Sequence, residues 1–182
     1  MENRILHTLQ RFNTGITITI DILLLTCAAL VLLDIILRQL GSSLGGTDEV
    51  AGYVMAIASS WGMAYTLMEL GHVRIDLLRS RAGTKGRALF DLFAMLVLVG
   101  TITLVALRSW PVLARSLANG SRANTPLETP LALVQTPWFA GWVWFAVVAW
   151  LMFIAATSLI LKGQFKSADD AIGTFGEADA LR

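Results

Sequence analysis

FAGWVWFAVVAWLMFIAATSLIL, residues 139–161, decides the fold, because its 23 residues carry no charge. About 20 apolar residues in a helix cross the hydrocarbon core of a bilayer. Backbone polar groups in lipid must be satisfied within the segment or in a closed barrel. Barrel strands alternate over about ten residues. This run is continuous, so it reads as a membrane-spanning helix.

Working outward, three more runs have the same character. Residues 16–37 carry only Asp21 and Asp34 as charges, residues 50–70 only Glu69, and residues 89–107 only Asp91. The whole chain agrees: 55% of its 182 residues are hydrophobic and 15% charged, with a mean hydropathy of +0.66. Soluble domains carry about 25% charged residues. The expectation is an all-α membrane protein of four transmembrane helices, forming one membrane domain over residues 1–182. Arg4 and Arg11 could precede a signal peptide, but the first run exceeds the usual h-region of about 7–15 residues. It is expected to be retained.

Lysine and arginine set the orientation. With both termini inside, the cytoplasmic side receives Arg4, Arg11, Arg74, Arg79, Arg81, Lys85, Arg87, Lys162, Lys166 and Arg182. The opposite side receives Arg38, Arg108, Arg115 and Arg122. The bias predicts cytoplasmic N- and C-termini. Between the third and fourth runs stand Trp110-Pro111, Asn119-Gly120, Thr125-Pro126, Thr129-Pro130 and Thr136-Pro137-Trp138. Residues before proline avoid the α region, so these sites read as breaks. Residues 108–137 are expected to form an interfacial outer segment, with Trp110, Trp138, Trp142 and Trp144 in an aromatic belt. The polar tail, residues 164–182, reads as mobile.

Several chemistries are excluded. A net charge of +1 gives no field to recruit nucleic acid. Cys27 is the single cysteine, so no intrachain disulfide forms. Two histidines without ligand spacing make neither a metal centre nor a haem pair. No phosphate-binding loop appears. No catalytic residue and no cofactor is expected, so the chain does not read as an enzyme. Asp21, Asp34, Glu69 and Asp91 read as lying toward span ends, leaving no polar site at mid-bilayer for a self-sufficient transporter.

The polar constellations cluster at span ends. Asp34 and Arg38 are spaced i, i+4 and can pair on a helix, or Arg38 can meet a partner membrane protein. Thr47-Asp48-Glu49 precedes the second span. Thr47 or Asp48 can cap that helix and the acids suit its positive end, which leaves one acid for a partner. Ala58, Trp61, Gly62 and Ala64 suit close helix packing. Gly71-His72-Val73-Arg74-Ile75-Asp76-Leu77-Leu78 follows the second span. Gly71 suits a left-handed C′ position, His72 can bond terminal carbonyls, and Arg74 and Asp76 are charges at the membrane edge.

Taken together, Arg38, Asp48-Glu49, Trp61-Gly62-Met63-Ala64, the run from Gly71 to Leu78, and Thr125-Pro126 through Thr136-Pro137-Trp138 resemble the small membrane subunit of tripartite ATP-independent periplasmic (TRAP) transporters, the DctQ-like family. The resemblance covers most of the chain, though the segment Leu131-Ala132-Leu133-Val134-Gln135 lacks aromatics that many members carry around Trp138. It implies a three-part, sodium-driven importer of an organic acid, a carboxylate or sialic-acid-like solute, in a bacterial inner membrane. A periplasmic binding protein would deliver the solute to a large membrane subunit. This chain would brace that subunit's scaffold and help form the docking surface. Arg38, Asp48, Glu49, Trp61, Gly71, His72, Arg74 and Asp76 are the implied interface or structural residues. Arg115, Arg122, Thr125, Pro126 and Trp138 mark the implied docking segment. The residues alone leave one alternative open, an independent four-helix channel or self-associating transporter.

Overall fold

The computed structural model describes the backbone of residues 2–71 and 81–173, and side chains over 13–71, 81–168 and 171–173. The described residues form five helices: α1 (Glu2–Gln39), α2 (Thr47–Met68), α3 (Thr84–Asn119), α4 (Leu131–Leu161) and α5 (Phe165–Ile172). Three of them, α1 from Asn13, α3 and α4, are long and apolar enough to cross a membrane. The second expected span is helical too, but it contains Tyr53, Ser59, Ser60, Tyr65 and Thr66 and is not among those three.

The long helices stand in a row. α1 packs on α2, α2 on α4, and α4 on α3, while α5 lies against α3 and α4. Among the described residues, α1 and α3 do not approach each other. The row is one helix thick, not a closed four-helix bundle. The core is therefore a set of seams. Ala64 and Leu67 of α2, Met95 and Val99 of α3, and Phe145, Val148, Ala149 and Ala156 of α4 are all buried there. α1 stands at the end of the row, with 11% of its apolar window buried against 28% in α3 and α4.

The tightest seam is α2 against α4. Gly141 lies against Ser60 and Trp61, so that a Cβ there would sit 2.8 Å from Ser60 Cβ and from Trp61 Cδ1. Small residues let helix backbones approach in this way. Trp61 Nε1 donates to the Pro137 carbonyl of α4 at 2.9 Å. Trp61→Phe removes that bond and retains most of the ring packing. It is expected to destabilise the fold by about 1 kcal/mol, read as earlier loss of the monodisperse peak when the detergent-solubilised protein is heated.

Three expectations are corrected. The interfacial segment over 108–137 is mostly helix: α3 runs through Pro111 to Asn119, and α4 starts at Leu131 and runs through Pro137. Proline removes one backbone donor, but in membrane helices nearby groups restore what is lost. Only the Asn119-Gly120 and Thr129-Pro130 sites end helices, with Gly120 left-handed at φ 57 and Pro130 capping α4. The tail also contains structure. α5 inserts Ala168 and Ile172 into the core, because Phe165, Ala168 and Ile172 fall on one helical face. Finally, the left-handed residue after α2 is Leu70 at φ 55, not Gly71. Gly71 is the next residue, and its N–H closes on the Thr66 carbonyl at 2.8 Å. A Cβ on Gly71 would lie 3.1 Å from Thr66 Cγ2, a tight approach that the Thr66 side chain would have to yield to by a few tenths of an ångström.

Candidate functional site

Polar groups converge where α1 turns into α2, and Asp34 is their centre. This carboxylate is buried, with 1% of the residue exposed. Its Oδ2 accepts from Arg38 Nε at 2.8 Å and from Thr47 Oγ1 at 2.7 Å, with Arg38 Nη2 also at 2.7 Å. Its Oδ1 accepts from Ser43 Oγ at 3.0 Å and from the Leu44 N–H at 2.8 Å. One carboxylate thus closes the loop, ties it to the start of α2 and holds Arg38 in place. The chain reverses here through Gly41, Gly45 and Gly46, all at positive φ. That backbone suits glycine because no Cβ is present to clash.

Arg38 keeps one side in solvent and reaches Asp48 Oδ2 at 3.6 Å. Neither Thr47 nor Asp48 caps α2: Gly46 holds the cap position with no side-chain cap bond, both lie inside the first turn, and the Thr47 hydroxyl goes to Asp34 instead. Asp48 and Glu49 occupy the first turn of α2, where the helix dipole favours carboxylates.

Glu49 joins this corner to the α3–α4 loop, residues 120–130. Its Oε1 accepts from Tyr53 Oη at 2.5 Å. Its Oε2 is buried and closes no hydrogen bond of standard geometry. Thr125 and Thr129 and the Leu127 backbone surround the carboxylate. The Thr125 hydroxyl does most to hold its pKa below the ordinary value, followed by Tyr53. The loop itself is ordered: Ala123 N–H donates to the Thr129 carbonyl at 2.9 Å and Glu128 N–H to the Thr125 carbonyl at 3.0 Å. Arg122 pairs across it with Pro130 and donates to the Glu128 carbonyl at 3.2 Å. Leu127 then lies on Gly46, where a Cβ would fall 2.5 Å from Leu127 Cγ. An open pocket of about 620 Å³ remains between the two loops, lined by Gly46, Asp48, Glu49, Gly52, Tyr53, Thr125 and Pro126.

A carboxyl with a lowered folded pKa contributes stability above its unfolded value, and this is lost as pH falls through the folded pKa. The Glu49 clasp should therefore be complete above pH 4.5 and loosen below it. Hydrogen exchange over residues 121–130, corrected for intrinsic rates, should rise in acid. Glu49→Gln should raise it at neutral pH and abolish most of the acid dependence.

The structure thus brings together Arg38, Asp48, Glu49, Thr125 and Pro126, with Arg122 in the same loop. Arg115 is exposed on the last turns of α3. Trp138 lies within α4, edge-on to Trp142 at 6.5 Å, and not in the loop. Trp61 serves the α2–α4 seam. Gly71 is at the opposite end of α2, and His72, Arg74 and Asp76 lie outside the described residues. Sequence reasoning missed the reach of Asp34 to Ser43, Leu44 and Thr47, and missed Tyr53. It also missed Asn13, buried at the other end of the α1 span. Asn13 Oδ1 accepts from Trp144 Nε1 at 3.3 Å, and Asn13 Nδ2 reaches Met68 Sδ at 3.3 Å.

No curated protein and no solved structure matches the chain. A family model described as tripartite ATP-independent periplasmic transporters, DctQ component, matches residues 27–165. That span runs from the middle of α1 to the start of α5 and takes in the Asp34 corner, the Glu49 clasp and every seam of the row, so the chain belongs to the DctQ component family of these transporters.

Proposed function

We propose that this chain is the small membrane subunit of a sodium-driven importer in a bacterial inner membrane. The family match over residues 27–165 carries the reading. A periplasmic binding protein supplies an organic acid, a carboxylate or sialic-acid-like solute, and a large membrane subunit transports it. This chain braces the large subunit's scaffold and contributes to the docking surface.

In this reading the chain is one membrane domain with four crossings, and α2 is the fourth of them. Its 22 residues span about 33 Å. Standing between α1 and α4, it turns Ser60 to a protein neighbour instead of lipid, which supports a crossing despite its polar residues. The distribution of lysine and arginine supports cytoplasmic termini. The Asp34 corner and the 120–130 loop then face the periplasm, where Arg115, Arg122, Thr125 and Pro126 are available to the binding protein.

Uptake should be measured with the large subunit and binding protein reconstituted with and without this chain. Loss of uptake without it supports an obligate subunit, and full uptake removes that role. Arg38→Ala and Glu49→Ala are expected to reduce copurification of the large subunit or uptake severalfold. Unchanged values for both would separate the corner from subunit coupling.

A further inference from the structure

The apolar run of α1, residues 16–37, carries two carboxylates, Asp21 and Asp34, which are 13 positions apart. On a helix that separation is about 20 Å, whereas the hydrocarbon core is about 30 Å thick. Tilt shortens the projection further. If α1 crosses the membrane, both cannot lie outside the core.

The structure distinguishes the two. Asp34 sits beside the polar turn and is neutralised by Arg38, Ser43, Thr47 and the Leu44 N–H. Asp21 lies more than three turns away, about one and a half turns inside the start of the 16–37 run, deeper than the span-end position read from the sequence. It is exposed, and no ion pair or hydrogen bond reaches it among the described residues. Ile18, Leu25 and Leu32 are exposed on the same stripe, facing away from the rest of the row. Arg11 is ten positions back along the helix, about 15 Å, too far to serve as counter-ion. Apolar side chains alone would be content in lipid. A carboxylate at this depth is costly unless it meets a polar partner.

We infer that Asp21 receives a basic side chain from a membrane-spanning helix of a different chain, and that the Ile18–Leu32 stripe is the seat of that helix. The sign of the charge selects lysine or arginine, whose attraction to a carboxylate strengthens as the dielectric falls. Ala28 and Ala29, also exposed, leave room for a close helix approach. The inference rests on reading the chain as a subunit of a membrane transporter, and the large membrane subunit is the occupant.

The test uses the complete transporter in membranes, with a photoreactive residue in place of Leu25. Cross-linking to the large subunit is expected, at a segment containing lysine or arginine. Asp21→Leu should lower the yield about tenfold while the chain stays monodisperse, because leucine suits a lipid-facing position. Asp21→Lys combined with an acidic replacement of the cross-linked basic residue should restore it. Cross-links only to lipid or to a second copy of this chain would overturn the inference, as would an undiminished yield in Asp21→Leu. If the large subunit copurifies with the chain but never cross-links at Leu25, the inference fails and the subunit reading stands. If it never copurifies, both fail.

Discussion

Asp34→Ala is expected to be the most damaging single substitution at the α1–α2 corner. It strips the acceptor from Arg38, Ser43, Thr47 and the Leu44 N–H at once. These bonds are partly buried, and a donor left there without its acceptor costs more than the bond itself contributed. Arg38 would retain only the Thr47 hydroxyl at 3.4 Å and Asp48 at 3.6 Å. Asp34→Asn offers little relief, because its amide NH2 would face donors on one side. The expected result is at least a roughly tenfold loss of monodisperse, membrane-extracted protein. Fluorescence-detected size exclusion measures this directly. Asp48→Ala is the matched control, since that side chain is 87% exposed and should tolerate truncation. Equal behaviour of Asp34→Ala and Asp48→Ala would refute the central place given to Asp34.

Gly141→Val should open the α2–α4 seam. The first added carbon already falls within 2.8 Å of Ser60 Cβ and of Trp61 Cδ1. Both neighbours are held: Ser60 is fully buried, and Trp61 is bonded to Pro137. The helices must separate, at a cost of about 3 kcal/mol from overpacking. The Trp61–Pro137 hydrogen bond would be lost with the shift. Gly141→Ala should show a smaller effect, because alanine recovers about 1 kcal/mol of helix propensity. Thermal stability in detergent should rank glycine above alanine and alanine above valine. Gly100, which meets nothing within 4 Å of a built Cβ, provides the contrast: Gly100→Ala should be neutral or stabilising.

Much of this architecture was legible because lipid imposes a simple rule. A long uncharged run must be helical, so 139–161 and its three companions announced themselves. The prolines misled because the rule for an isolated helix end does not hold inside a membrane helix: Pro111 and Pro137 interrupt hydrogen bonding without ending α3 or α4. α5 was hidden in a polar tail, although Phe165, Ala168 and Ile172 carried its periodicity. Of the corner, the Asp34–Arg38 spacing was readable, since both residues share one helix. The bonds from Ser43, Leu44 and Thr47 depend on a chain reversal, and only the left-handed glycines Gly41, Gly45 and Gly46 hinted at it. The Glu49 clasp joins residues more than 70 positions apart, a distance over which helical periodicity is silent.

The two polar attachments of α1 have a mechanical consequence. Asn13 holds one end to Trp144 and Met68, and Asp34 holds the other to the start of α2. They lie about 32 Å apart along the axis. A helix fastened at one point can pivot, and one held only by apolar contact can slide or roll. Fastened at both ends, α1 keeps neither freedom relative to α2. A sideways push on its outer surface is therefore delivered to the neighbouring helices as a rigid-body tilt, with little bending on the way.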